Sequence, residues 1–593
     1  MKCYIKDYPR PQFVRADWEN LNGTWDFCFD DYNRGEKERW QEKFPGGLRI
    51  QVPFTYETKL SGIKEEAPHS NVWYRRSIQV DAGRLEQDNY ILHFEGSDFL
   101  TKVWVNGRYA GSHRGGYARF SFDITNLVWD GENEIVVKVE DSMDVQQPRG
   151  KQRWLPESYG CFYVQTTGIW KTVWSEYVPK THLSRVKMTP NMEDRCLEVE
   201  YEVEAPAYAW DGSLTVEAVV TFQGNPVCRN LTAVNSGLVR TKLDVMTETL
   251  SDVDWVVRTW TPEHPNLYDV EARLWHDGHL SDTVYTYFGM RKISILDGRI
   301  MLNNAPYYMK LVLDQGYWEE SILTPPDDEA LRRDIELTKK YGFNGARKHQ
   351  KIEDPRYYYW ADQLGLLVWG ELPSTYDFSA DSMKNLTRDF MEFMDRDHNH
   401  PSIVVWVPLN ESWGVRKILN DVRQVHFGET LYHLAKSYDG SRLVSTNDGW
   451  EIVKTDIIGI HDYHADGSYF EKTYSEKELQ QPEKINSVGR RVFSEKYHYE
   501  DMDTVFMISE YGGIAMETSV DDVNWGYGKA EAGKDALLNR YRDVTEAIMK
   551  NKMICGFCYT QLTDVYQEVN GIMDMNHVPK IEPEELHKIN SGR

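Results

Sequence analysis

The feature that most constrains this chain is the stretch from Arg291 to the C-terminus, where short apolar segments alternate with helical ones over about 300 residues. Eight segments read as strands: YYMKLVLD (307–314), GFNGARKH (342–349), LLVWGEL (366–372), SIVVWVPLNE (402–411), LVSTND (443–448), IIGIHDY (457–463), VFMISEYGG (505–513) and ICGFCYTQL (554–562). Helical signals lie between most of them. Pro326-Asp327 opens one helix, with Asp327 as N-cap; Leu331 and Ile335 recur at helical spacing, and Gly342 follows the last turn. Eight such units predict a (β/α)8 TIM barrel over residues 289–593.

Upstream the pattern is different. Residues 1–180 carry short β segments separated by Gly, Asn and Asp turns, among them VWYRRSIQV, TKVWVNGRYAG and NEIVVKVED, which predicts a β-sandwich. Asn106-Gly107 has the residue types that a tight hairpin with positive φ angles demands. Residues 181–288 continue in β style within the length of an immunoglobulin-like sandwich. The chain is thus expected to hold three domains, as 593 residues exceed what one hydrophobic core serves.

Charge narrows the partners. Lys and Arg total 68 against 93 Asp and Glu, and the net charge of −25 opposes binding to nucleic acid or to anionic lipid, so neither is expected. Aromatic residues make up 13% of the chain, which suits surfaces that stack sugars. The N-terminal stretch lacks the apolar core of a signal peptide, and no segment has the uninterrupted apolar length of a membrane span, so a cytoplasmic location is expected. The seven cysteines are scattered and read mostly as buried free thiols, including Cys3 and the Cys555/Cys558 pair, which lies in a strand-like run.

In a barrel of this kind the chemistry sits where strands end, so polar residues closing an apolar strand are the candidates. They are Asp314, Arg347, His349, Glu371, Asn410, Glu411, Asn447, Asp448, His461, Asp462, Tyr463, Glu510, Tyr511, Tyr559 and Gln561. Glu411 and Glu510 stand out, because each closes a strongly apolar strand and both project into one funnel. Apolar walls raise one carboxyl pKa while Arg or hydrogen-bond donors keep another ionised, the division an acid and a nucleophile need in glycoside hydrolysis. His398 with His400, and His461 with His464, have spacings seen in metal sites. The first pair reads better as shaping a helix-to-strand turn, and His461 and Asp462 read as ligands of sugar hydroxyls. No metal ligand set is assigned.

DHNHPSIVVWVPLNESWG (397–414), with its Asn410-Glu411 pair, and VFMISEYGG (505–513) resemble glycoside hydrolase family 2. WVNG, FSFDITNLV, PRGKQ and TGIWKTVW are similar to that family's sugar-binding jelly roll, and NGAR, DPRYYYWADQLGLLVWGELPS and TQLTDVYQEVNG to its barrel. The resemblance spans essentially the whole chain. It implies a retaining mechanism with Glu411 as general acid/base and Glu510 as nucleophile. It further implies that Asn410 meets the sugar 2-hydroxyl, that Arg347 holds the nucleophile ionised, and that Tyr463 or Tyr511 orients it. The loop PRGKQRWLPESYG, with Arg149, Lys151 and Trp154, is expected to reach the barrel mouth.

The sequence departs from the family pattern in places that bear on the sugar. Three residues after Arg347 stands Gln350, where many members have histidine, and the histidine here is His349. Strand 8 offers Tyr559, with Gln561 beside it, in place of a Trp platform. QEVNGIM lacks the lysine of the Asn-x-Lys element that grips a uronic acid, so a neutral sugar is expected. The resulting expectation is an exo-acting retaining glycosidase of β-galactosidase type. An α-L-arabinofuranosidase or β-galactofuranosidase is the alternative, β-mannosidase and β-glucuronidase follow, and a catalytically inactive carbohydrate-binding protein is the rival from another class. No organic cofactor is implied, since both half-reactions need only carboxyl groups and water. Association of large enzymes in the family leaves a homo-oligomer open, with no feature here that sets its symmetry.

Overall fold

The computed structural model describes residues 6–248, 255–493 and 503–592. Cys3 lies outside them. The first domain is a sandwich of two antiparallel sheets. One has six strands, with Asn71–Val80 and Gly131–Glu140 at its centre, and the other has four, built on Val173–Pro179 and Asp88–Phe94. Trp25, Phe27, Tyr74, Leu92, Val103 and Val137 fill the space between them. Asn106 and Gly107, with φ of 51° and 73°, turn Leu100–Val105 back onto Arg108–Arg114, the left-handed pair that a two-residue hairpin requires. The second domain packs a three-stranded sheet on a four-stranded one around Leu197, Val199, Val216, Val220 and Val270.

The third domain is the barrel. Its strands are Met309–Asp314, Gly345–Lys348, Leu367–Glu371, Ile403–Val407, Leu443–Val444, Ile457–His461, Val505–Gly512 and Ile554–Thr560, numbered here as barrel strands 1 to 8. They form one parallel sheet in the order 5-4-3-2-1-8-7-6, and a Gly449–Ile460 bridge joins its two ends. Pro408 has no N–H for the ladder and ends strand 4, which resumes as Leu409–Asn410 paired with Asn447–Asp448. The first barrel helix runs Asp328–Lys340, with Asp327 capping Ala330 N and with Leu331 and Ile335 buried.

Alternation along the strands separates two buried clusters. Leu311, Leu367, Trp369, Val405, Met507 and Cys558 fill the barrel interior, and this cluster runs on into Trp174 of the first sandwich and Trp260 and Tyr287 of the second. Val312, Ala346, Val368, Trp406, Ile458 and Phe557 face the helices. Each fully buried side chain of this size contributes roughly 1.5–3 kcal/mol, so the shared cluster ties the three domains together. Tyr357, Tyr358 and Tyr359 are packed inward on the helix Pro355–Leu364. His400 meets Asp362 at 2.6 Å and His398 meets Thr189 at 3.0 Å, so both serve the turn before strand 4. Among the described residues no helix is long and apolar enough to cross a membrane. The six described cysteines are free thiols; Cys28, Cys196, Cys555 and Cys558 are buried, and Cys161 and Cys228 are half-buried.

Candidate active site

Arg347 organises the mouth of the barrel. It follows the helix-facing Ala346, so alternation turns it inward, where it is fully buried. Its Nε donates to Glu371 at 2.7 Å, its Nη1 to Glu510 at 2.9 Å and its Nη2 to Asn410 at 2.6 Å, with Asp448 2.7 Å from Nη1. A buried guanidinium needs such company, because only paired charges are tolerated out of water.

Glu510 comes inward through an irregularity. Strict alternation from the helix-facing Ile508 would send Glu510 toward the helices, but the register shifts between Ile508 and Tyr511, and Tyr511 takes the outer position instead. The ladder between strands 6 and 7 registers the same irregularity, with Ile460 opposite Ile508 but His461 opposite Glu510, while His461 follows the helix-facing Ile460 and is inward by ordinary alternation. Burial alone would raise the Glu510 carboxyl, yet His461, Arg347 and His349 outweigh it, and with the Tyr463 hydroxyl they hold the group well below the usual carboxylate range. Tyr463 donates directly to Glu510 Oε2, and Tyr527 stacks on Tyr463 with ring centroids 3.6 Å apart.

Glu411 and Ser412 have φ of 52° and 57°, left-handed values that non-glycine residues hold only under outside constraint. That constraint comes from strand 5: Glu411 N donates to Asp448 O at 2.8 Å and Ser412 N to Asn447 Oδ1 at 2.9 Å. The Glu411 side chain is 18% exposed, the Glu510 side chain 6%. Between them lies His461, with Nδ1 2.8 Å from Glu411 Oε1 and Nε2 3.5 Å from Glu510 Oε1. One ligand atom from each of the three residues falls within 4.8 Å of the others. Burial disfavours an imidazolium, but Glu510, Asp448 and Glu411 outweigh that effect and push His461 up to about 10. The trio has the spacing of a cation site; the imidazolium and the adjoining guanidinium of Arg347 already bring positive charge to it. The Asn410 side-chain amide nitrogen is buried without a protein partner beside these groups.

The first sandwich completes the wall. Arg149 N and Gly150 N donate to Ser374 O at 2.9 and 3.2 Å, and Tyr376 donates to Gly150 O, docking the loop on the barrel. Lys151 then extends into the mouth, 6% exposed, with its ammonium 5.0 Å above the Trp413 ring. No described carboxylate lies within 4 Å of it; burial lowers its pKa, but Cys161, Glu568, Glu510 and Glu411 together raise it. Trp154 packs on Tyr376 and Phe162 at 4.1 and 4.5 Å, half-buried at the rim.

Other predicted ligands lie elsewhere. Asp314 follows the parity of Val312 toward the helices, and its carboxylate meets Lys348 Nζ at 2.8 Å. Tyr511 bonds Thr545 at 2.7 Å and Tyr559 packs on Tyr541 and Tyr511, so neither faces the mouth and Tyr559 is no sugar platform. Asp462 is turned outward to His464 and Tyr474. Glu371 and Asp448 are consumed by Arg347, His349 and His461, and both nitrogens of His461 are engaged by carboxylates, which leaves these three no group for a hydroxyl. Gln561 is tied to Gln315 and Asn570 at 2.7 Å each. His349 stays at the mouth, 3.0 Å from Glu371. Sequence reading missed Trp413, Tyr527 and Glu568. Trp413 stands two residues after Glu411, which was a usable signal. Tyr527 and Glu568 sit on long loops after strands 7 and 8 and carry none.

Comparison with known proteins agrees with this architecture. Residues 18–173 match the model described as "Glycosyl hydrolases family 2, sugar binding domain", residues 181–291 match "Glycosyl hydrolases family 2", and residues 293–580 match "Glycosyl hydrolases family 2, TIM barrel domain". A putative beta-glucuronidase of Formosa agariphila is 28% identical over 462 residues, covering 75% of this chain and 52% of that protein. A beta-galactosidase of Thermoanaerobacter pseudethanolicus is 27% identical over 409 residues, covering 67% and 51%. The chain thus spans about half the length of the curated relatives it matches. Among solved structures, a beta-glucuronidase from an uncultured Clostridium sp. superimposes with TM-score 0.77 at 18% identity, over 98% of this chain and 99% of that one. The β-glucuronidase of Ruminococcus gnavus in complex with D-glucuronic acid does so with TM-score 0.78 at 17% identity, over the same shares. At such identity these structures speak for the fold.

Proposed function

Since the chain belongs to glycosyl hydrolase family 2, we propose that it is an exo-acting retaining glycoside hydrolase with Glu510 as nucleophile and Glu411 as general acid/base. The observation that carries this reading is the pair of carboxyl groups at one barrel mouth, one oxygen of each within 4.8 Å of the other, which is short of the ~6.5–9.5 Å that an inverting pair leaves for water. Glu510, ionised and fixed by Arg347 and Tyr463, attacks the anomeric carbon; Glu411 protonates the leaving oxygen and later deprotonates the water that releases the glycosyl-enzyme. Asn410 is the candidate for the 2-hydroxyl, as its free amide nitrogen supports.

For the sugar, a neutral glycoside of the β-galactoside type is the leading reading, supported by the absence from QEVNGIM of the lysine of the Asn-x-Lys element. Lys151, an ammonium with no carboxylate within 4 Å among the described residues, favours a β-glucuronide as the second reading. A nitrophenyl glycoside panel covering β-galactoside, β-glucuronide, β-mannoside, α-L-arabinofuranoside and β-galactofuranoside, with Glu510→Gln as control, tests both. Cleavage of one glycoside that vanishes in the variant supports the reading; sugar binding without turnover would instead support a binding protein.

A further inference from the structure

The two proposed catalytic carboxyl groups approach closely, and like charges at this range repel strongly in a buried site. One side chain stands between them. His461 reaches Glu411 Oε1 through Nδ1 at 2.8 Å, while Nε2 lies 3.0 Å from Asp448 Oδ2 and 3.5 Å from Glu510 Oε1. The ring is fixed: Asp448 is itself held by Arg347 and by Ser445 Oγ at 2.8 Å, and Gly449 lies so close that an added Cβ would stand 2.7 Å from Nδ1. The charged groups facing the imidazole are Glu411 after strand 4, Asp448 on strand 5, Glu510 on strand 7 and, as the positive neighbour, Arg347 Nη1 on strand 2 at 3.3 Å. Three carboxylates against one guanidinium favour the imidazolium.

We propose that His461 is the positioning residue that makes Glu411 an effective acid, by donating from Nδ1 to the carboxylate that Glu411 becomes when its proton leaves. The proposal rests on the glycosidase reading above. In the first step the bond from C1 to the leaving oxygen breaks, and its electron pair takes the Glu411 proton while an oxygen of Glu510 bonds to C1. Glu411 is left negative and Glu510 becomes a neutral ester. The imidazolium thus keeps two anionic partners, Glu510 and Asp448 before the step and Glu411 and Asp448 after it. In the second step water gives a proton to Glu411 as its oxygen attacks C1, and Glu510 regains its charge.

Such a role depends on the leaving group, and a general stabilising role does not. The test compares His461→Gln with the wild type on an alkyl glycoside, which needs the proton, and on a 2,4-dinitrophenyl glycoside, which does not. The expected loss in kcat/KM is about 100-fold for the alkyl glycoside and less than about 5-fold for the dinitrophenyl one. In the Glu411→Gln background, His461→Gln should lower dinitrophenyl hydrolysis by less than about 3-fold, because the group it serves is gone. Equal losses on both substrates overturn the assignment. Should the variant fold poorly, nitrogen NMR of the wild type decides: both ring nitrogens of His461 protonated at pH 8 agrees with the proposal, and a neutral ring overturns it. Wild-type turnover abolished in Glu510→Gln keeps the glycosidase reading whatever His461 does; absence of turnover on every glycoside removes that reading and this one with it.

Discussion

Arg347, on barrel strand 2, donates to Glu510, on strand 7, at 2.9 Å across the mouth of the barrel. The same guanidinium spans Glu371, Asp448 and Asn410, so one residue positions groups from strands 3, 4, 5 and 7. Its work is to keep Glu510 ionised and in place.

Glu510→Gln keeps the shape of the side chain and removes the nucleophile. Hydrolysis of the favoured glycoside is expected to fall by more than about 10⁴-fold. A variant that retains a tenth of the activity would remove Glu510 from its role.

Tyr463→Phe deletes the hydroxyl that bonds Glu510. The loss of a hydrogen bond to the ionised form raises the Glu510 pKa, so the acid limb of the kcat/KM profile moves to higher pH, with a fall of roughly 10²-fold in kcat. An unmoved acid limb would separate Tyr463 from the nucleophile.

Lys151→Met preserves most of the stem and removes the ammonium. If the first sandwich touches substrate through this residue, kcat/KM falls by roughly 10–100-fold, mainly through KM, as expected for a lost charged hydrogen bond. The size of the loss for a β-glucuronide against a β-galactoside separates the two sugar readings. Unchanged kinetics would show that the loop only closes the wall.

Glu57 lies buried in the first sandwich, with Thr167 N 3.0 Å from one oxygen and no partner at the other. Burial, aided by Asp141, pushes its carboxyl up to about 8. The unfolded chain binds this proton only below about 4.3, so the folded state loses stability as pH rises from there toward 8 and the group ionises in both states. Glu57→Gln mimics the neutral form and should raise stability at pH 9 by roughly 1–3 kcal/mol, with little change at pH 4. Equal unfolding midpoints at pH 9 would show that the carboxyl is solvated.

Much of this was legible in the residues. Apolar runs with period 2 and helical runs with capping residues announce a barrel, because those periods follow from the backbone itself. The polar residue that closes each run marks the barrel mouth. Strand parity was legible too: Asp314 follows Val312, and Tyr559 follows Phe557, by two residues, and both therefore share a helix-facing side. Treating every strand end as one set obscured that.

What the sequence by itself determined is the elements, their order and the residue types at the strand ends. Only the tertiary structure decided which of those residues meet. Glu510 faces inward because strand 7 shifts register just before it, and a shift depends on how neighbouring strands pair. Lys151 stands over Trp413 because a loop of another domain docks on Ser374 and Tyr376, more than 200 residues away along the chain. Neither event leaves a period in the sequence, since each is a balance of contacts between segments that local pattern cannot pair.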